Sequence, residues 1–141
     1  MSDAVNHPSY YNRGGVEVID FIEDWRLDFS MGSFVKYICR AGHKDDRIQD
    51  LEKAKWYIKR FADHVPDTFW HGGTYDWWQY ATSQGLSQDL CHAMASAYEL
   101  LMTGNAINAV DAVWWINREI DTIKEQRLDI EQGVIETGSE Q

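Results

Sequence analysis

The sequence predicts an all-helical, compact bundle of about five helices, and three observations carry that reading. Apolar residues recur at spacings of three and four through most of the 141 residues, only two prolines and ten glycines interrupt the chain, and 44% hydrophobic against 26% charged residues suit a folded, soluble protein. One domain is the natural size for such a chain. A net charge of -10, from 13 Lys+Arg against 23 Asp+Glu, repels a polyphosphate backbone and argues against general nucleic-acid binding. No apolar run approaches the length that spans a bilayer, and the N-terminus has neither a basic start nor an apolar stretch, so no membrane partner and a cytoplasmic location are expected.

The elements follow in order. Residues 1–15 form a polar lead with Pro8 and the pair Gly14-Gly15, read as a loop or arm. Val16 to Arg26 places Val18, Ile22 and Trp25 on one side, predicting an amphipathic first helix. Ser30 is placed to cap a second helix with Phe34, Val35, Ile38 and Ala41 on its apolar side, closed by Gly42. A third helix runs to about Ala62 with Ile48, Leu51, Ala54, Ile58 and Phe61 inward. Pro66 then separates segment 1–65 from segment 66–141. From Phe69 to Tyr80 the chain is dense in aromatics, which suits a cap packed on a small core or a wall for stacking a base. Ser87 is placed to cap a helix ending at Thr103-Gly104, and a long last helix begins near Asn105 and passes Ile123 into a polar tail with Gly133 and Gly138.

The second half echoes the first. Ala54-Lys55-Trp56-Tyr57-Ile58-Lys59-Arg60 aligns with Ala112-Val113-Trp114-Trp115-Ile116-Asn117-Arg118, each after a helix ending in glycine. Two pseudo-repeated helical hairpins packed as an internal pseudo-dimer would give this pattern; a chance likeness between amphipathic helices would also give it. Charge divides the halves: residues 1–60 carry ten Lys+Arg and ten Asp+Glu, the remainder three and thirteen. An anion site therefore belongs to the first half.

Lys36 and Arg40, four apart on one helix face, and Lys44 beyond the turn can converge near the end of the second helix. Phosphate binding is the functional reading, and simple complementation of the helix dipole the structural one. Lys53 and Lys55 on the third helix can add to the same site. Glu17, Asp20, Glu23 and Asp24 have a spacing that can present two carboxylates to Mg2+, with Asp50 and Asp46 as a second set; a solvated face is the plainer reading. No G-x-x-x-x-G-K-[ST] loop is present, which excludes a P-loop kinase. Cys39-x-x-x-His43 and Cys91-His92 match no familiar zinc spacing, and both cysteines fall on apolar faces as buried thiols.

Four motifs then become specific. Asn6-His7-Pro8-Ser9-Tyr10-Tyr11, Gly15-Val16-Glu17-Val18-Ile19-Asp20, Phe34-Val35-Lys36-Tyr37-Ile38-Cys39-Arg40-Ala41-Gly42-His43-Lys44 and Asp50-Leu51-Glu52-Lys53-Ala54-Lys55-Trp56-Tyr57 resemble, in order and spacing, the small bacteriophage family called SaV-like or phage nucleotide kinase, over residues 6–62 only. The resemblance implies a helical protein of an infected bacterial cytoplasm that phosphorylates nucleoside monophosphates without a P-loop, with ATP or another nucleotide as substrate and Mg2+ as cofactor. It implies nucleotide binding by the motif positions Lys36, Tyr37, Arg40, Gly42, Lys44 and Lys53 with His7 and Tyr10; phosphoryl transfer would then take Lys36, Arg40 and Lys44 as the catalytic cations and Tyr10, Tyr11 or Trp56 as the face that stacks a base. Glu17, Asp20 and Asp50 are then the metal contacts. The partner expected is a small-molecule nucleotide, with a homo-oligomer left open. Three other readings use the same residues differently: a non-catalytic protein that sequesters a nucleotide signal, a Mg-dependent helical nucleotide pyrophosphatase built on Glu17 and Asp20, and a helical interaction module whose aromatic half docks a partner.

Overall fold

The computed structural model describes residues 15–41, 46–65 and 72–133, and among these no strand occurs. Among the described residues six helices follow one another: α1 (Val18–Asp24), α2 (Phe29–Arg40), α3 (Arg47–Asp63), α4 (Trp77–Ser83), α5 (Gln88–Thr103) and α6 (Ile107–Glu131). The all-helical expectation holds, with one helix more than the five expected. The addition is α4, which lies inside the aromatic stretch read as a cap.

Local chemistry explains the boundaries. In α1 the innermost residues are Val18 and Phe21, with Trp25 buried just past the end and Ile22 only half-buried. Ser30 does not cap α2: Asp28, two residues earlier, accepts from the Met31 N–H at 2.8 Å, and Ser30 falls inside the first turn. Asp46 and Asp76 cap α3 and α4 in the same way, accepting from Gln49 N and Gln79 N at 2.8 Å each. Ser87 caps α5 as expected, accepting from Leu90 N at 3.2 Å, and Gly104 closes it in left-handed backbone. Gly42 lies outside the described residues.

α2 and α3 form one antiparallel pair, α5 and α6 another, and α3 also packs on α6. All six helices contribute to one core, from Phe21, Met31, Phe34 and Ile38 through Leu51 and Ile58 to Met94, Leu100 and Ile116. The area of each such side chain removed from water, at about 25 cal/mol per Å2, holds the pairs together.

The echo in the sequence is a repeat of three helices. Both α1 and α4 have seven residues, followed by a right-handed residue (Trp25, Gln84), a left-handed one (Arg26 at φ 51°, Gly85 at φ 72°), a leucine (Leu27, Leu86) and an N-cap (Asp28, Ser87). Within the seven-residue echo, Ala54 and Ile58 are fully buried as are Ala112 and Ile116, while Trp56 and Trp114 are both exposed. One pair of hydrogen bonds between the units is reciprocal. Trp25 Nε1 donates to the Tyr75 carbonyl at 2.7 Å, and Gln84 Nε2, at the position equivalent to Trp25, donates to the carbonyl of Val16, the position equivalent to Tyr75, at 3.3 Å. Phe21 and Tyr80, also equivalent, stack on each other at 4.1 Å and 11°. A residue meeting its own counterpart is what a two-fold relation produces.

Candidate functional site

The antiparallel packing of α2 on α3 sets three kinds of side chain in a row. At one end Phe29, 77% exposed, meets Tyr57 edge-on at 5.7 Å, and Trp56, 59% exposed, meets the same ring at 5.0 Å. In the middle Tyr37 stacks on Tyr57 at 5.9 Å and 10°. Two ammonium groups converge there: Lys36 Nζ lies 4.6 Å and Lys53 Nζ 5.3 Å from the Tyr37 ring centre. At the far end Arg40 Nε stands 3.6 Å from Asp50 Oδ2.

The spacing accounts for this row. Lys36 and Arg40 are one helical turn apart on α2, and Asp50, Lys53 and Tyr57 recur at three and four along α3. Tyr57 and Phe29 are the residues that sequence reasoning did not weigh as site components. The four-residue step from Lys53 to Tyr57 was the available signal.

Charge makes the middle of the row unusual. Lys55 is ion-paired with Glu52 at 2.6 Å and donates to Asn117 at 2.7 Å, so it ties α3 to α6 and does not extend a phosphate site. Arg47 reaches buried Glu119 at 3.3 Å, and Arg118 reaches Asp89 at 3.6 Å. Lys36 and Lys53 have no carboxylate partner among the described residues; their contact is the face of Tyr37. Two cations sharing one ring repel each other, and an anion between them removes that cost while a planar ring can lie on the exposed aromatics.

Asp50 is buried and faces Arg40, yet neither Arg40 Nε nor Asp50 Oδ2 has a hydrogen-bond partner among the described residues. The contact between them is electrostatic. Glu17 precedes α1 and Asp20 is exposed on it. Among the described residues no three His, Cys, Asp or Glu side chains come together as a metal site. His7, Tyr10, Tyr11, Gly42 and Lys44 lie outside the described residues. Cys39 is no nucleophile: burial, partly offset by the neighbouring Tyr80 hydroxyl, pushes its thiol up to about 12.

A family model described as a protein of unknown function (DUF3310) matches residues 5–59. That span holds α1, α2 and most of α3, and so every described residue of the row; α4 to α6 lie beyond it. The chain is thus similar to that family over its first three-helix unit. Comparison with curated proteins and with solved structures returns no match.

Proposed function

We propose that the α2–α3 face binds the phosphates of a nucleotide, and that the protein is a nucleoside-monophosphate kinase without a P-loop. The observation that carries this reading is the convergence of Lys36 and Lys53 on one tyrosine ring without a carboxylate partner. Arg40 adds a planar guanidinium that is one-third exposed on the same face. Tyr37, Tyr57, Trp56 and Phe29 supply the stacking surface for a base. Phosphoryl transfer asks little covalent chemistry of a protein: a phosphate oxygen of the monophosphate attacks the γ-phosphorus of ATP, the bond to ADP breaks, and fixed cations stabilise the charge in between. Lys36, Lys53 and Arg40 are the groups for that task. Mg2+ bound with ATP would offset phosphate charge, and Asp50, paired with Arg40 at the end of the row, would be the carboxylate to contact it. The resemblance to the phage family supports the same reaction and a place in an infected cell.

The test is turnover. Protein incubated with a deoxynucleoside monophosphate, ATP and Mg2+ should yield the diphosphate and ADP, with Lys36→Ala and Lys53→Ala each lowering nucleotide affinity by about 1.5–3 kcal/mol, the range for a charge-assisted hydrogen bond. Lys124→Ala, at an exposed position of α6, should change nothing. Tight stoichiometric binding with the ligand recovered intact would replace the kinase by a sequestering protein, and pyrophosphate released from a triphosphate alone would replace it by a pyrophosphatase. Unaltered affinity in both lysine variants would refute the site.

A further inference from the structure

A cleft of about 370 Å3 lies between the segment leading into α4 and the side of α5. Its walls are aromatic: Trp25, Tyr75, Trp77, Trp78 and Tyr98, with Asp76 as the charged residue of the lining. The rings brace one another. Trp25 meets Trp77 edge-on at 5.7 Å and Tyr98 at 5.8 Å, and Trp77 lies 6.0 Å from Tyr98. The opposite wall is tied down as firmly, because the Asp24 carboxylate accepts from Thr74 N at 2.7 Å and Tyr75 N at 3.0 Å. Gly73 lets that segment lie flat on the rings: a Cβ there would come within 2.6 Å of Asp24 Oδ2 and of Trp25 Cδ1. Such a cleft exists before any ligand arrives, so little ordering opposes binding.

Electrostatics select the ligand. Beyond residue 60 the chain carries thirteen carboxylates and three Lys+Arg, a field that repels phosphate and draws in cations. The repeat sharpens the contrast. Ala95, on the α5 side of the cleft, is the counterpart of Lys36, while Trp77 and Trp78 are the counterparts of Val18 and Ile19. In the first unit Lys36 lies over the Tyr37 ring; at the equivalent place the second unit has a methyl group, with indoles at the positions of Val18 and Ile19, so the cleft has π faces and a carboxylate but no cation of its own among the described lining. We propose that this cleft binds a small organic ammonium ion, held by the indole and phenol rings and by Asp76. The inference does not rest on the nucleotide reading, since it concerns a separate set of residues.

The experiment is a tryptophan-fluorescence titration of the intact protein at constant ionic strength, with tetramethylammonium, choline and the uncharged choline isostere 3,3-dimethylbutan-1-ol. Saturable binding of both cations is expected, with the isostere weaker by about 10-fold or more, as contact with two or three ring faces would give. Asp76→Asn keeps an N-cap on α4 while removing the charge, and should weaken choline by about 5-fold. Trp78→Ala truncates a side chain that is 41% exposed, so the fold persists, and should weaken choline by about 10-fold. Equal affinity for choline and its isostere would make the cleft merely apolar and overturn the proposal. Tighter binding of adenosine monophosphate in competition, unchanged choline affinity in Trp78→Ala, or no saturation up to about 100 mM, far weaker than the millimolar range of small cation–ring contacts, would overturn it too.

Discussion

Ile58→Ala and Ile116→Ala should destabilise the protein by nearly the same amount and in one transition. Each isoleucine is 0% exposed and each stands at the same position of its unit. Truncation to alanine removes three carbons, about 2.4 kcal/mol of transfer free energy at about 0.8 kcal/mol per carbon. The cavity left behind raises this to about 3–4 kcal/mol, inside the 2–5 kcal/mol range for such substitutions. At about 2–4 °C per kcal/mol for a chain of this size, the melting temperature should fall by about 6–16 °C in both variants. Urea unfolding followed by helical circular dichroism, with the slope of free energy against denaturant unchanged, is the assay. Both losses should appear in a single cooperative transition, because both side chains sit in one continuous core. A loss below about 1 kcal/mol in either variant, or a second transition that only one of them moves, would refute the shared core.

Three further outcomes are expected. Asp28→Ala should cost about 1 kcal/mol and Ser30→Ala a few tenths, because the cap of α2 is the aspartate; chemical denaturation of the two variants separates them, and the reverse order would contradict the cap. Gly85→Ala should cost about 1 kcal/mol, whereas Arg26→Gly, at the equivalent left-handed position, should be neutral or stabilising by up to about 1 kcal/mol, measured the same way. At alkaline pH, Cys39 and Tyr80 keep their protons in the fold longer than in the unfolded chain, both chiefly through burial. The stability each contributes is complete below its unfolded value and is lost as pH rises, for the thiol between about 8.5 and about 12, at about 1.4 kcal/mol per unit. Melts in that window should show Cys39→Ala losing less than the parent, and rapid reaction of Cys39 with a thiol reagent at pH 8 would contradict its burial.

The helical class was legible because apolar spacing repeats over long stretches in α2, α3, α5 and α6. α4 was not, since seven residues with two tryptophans and a tyrosine give too short a period to separate a helix from an aromatic cap. The echo around Ile58 and Ile116 exposed the repeat, but most of its extent was hidden. Trp25 and Gln84 share no chemistry beyond one N–H donor, and each bonds to a backbone carbonyl, which leaves the residues opposite free to vary. Arg26 hid the turn for a similar reason: its left-handed backbone matches Gly85, and its identity does not. In the site, Lys36 and Arg40 were visible from spacing within one helix, Lys53 as an added cation on the next, and Tyr37 through the family resemblance. Their meeting with Phe29 and Tyr57 depends on how α2 lies against α3, which spacing alone does not specify, and the diversion of Lys55 to Asn117 depends on α6, far along the chain.

Joining two such units in one polypeptide has a consequence that separate copies could not share. A partner held by covalent linkage is present at a fixed effective concentration, in the millimolar range for short flexible linkers, so the assembly survives dilution that would part a weak dimer. Each copy is also free to change alone. Lys36 answers to Ala95, Arg40 to Glu99 and Lys53 to Asp111, so cations of the first unit have a methyl group and two carboxylates as counterparts in the second. Two identical chains would be bound to repeat every such residue on both sides; one chain carries a basic face and an acidic one on a shared frame.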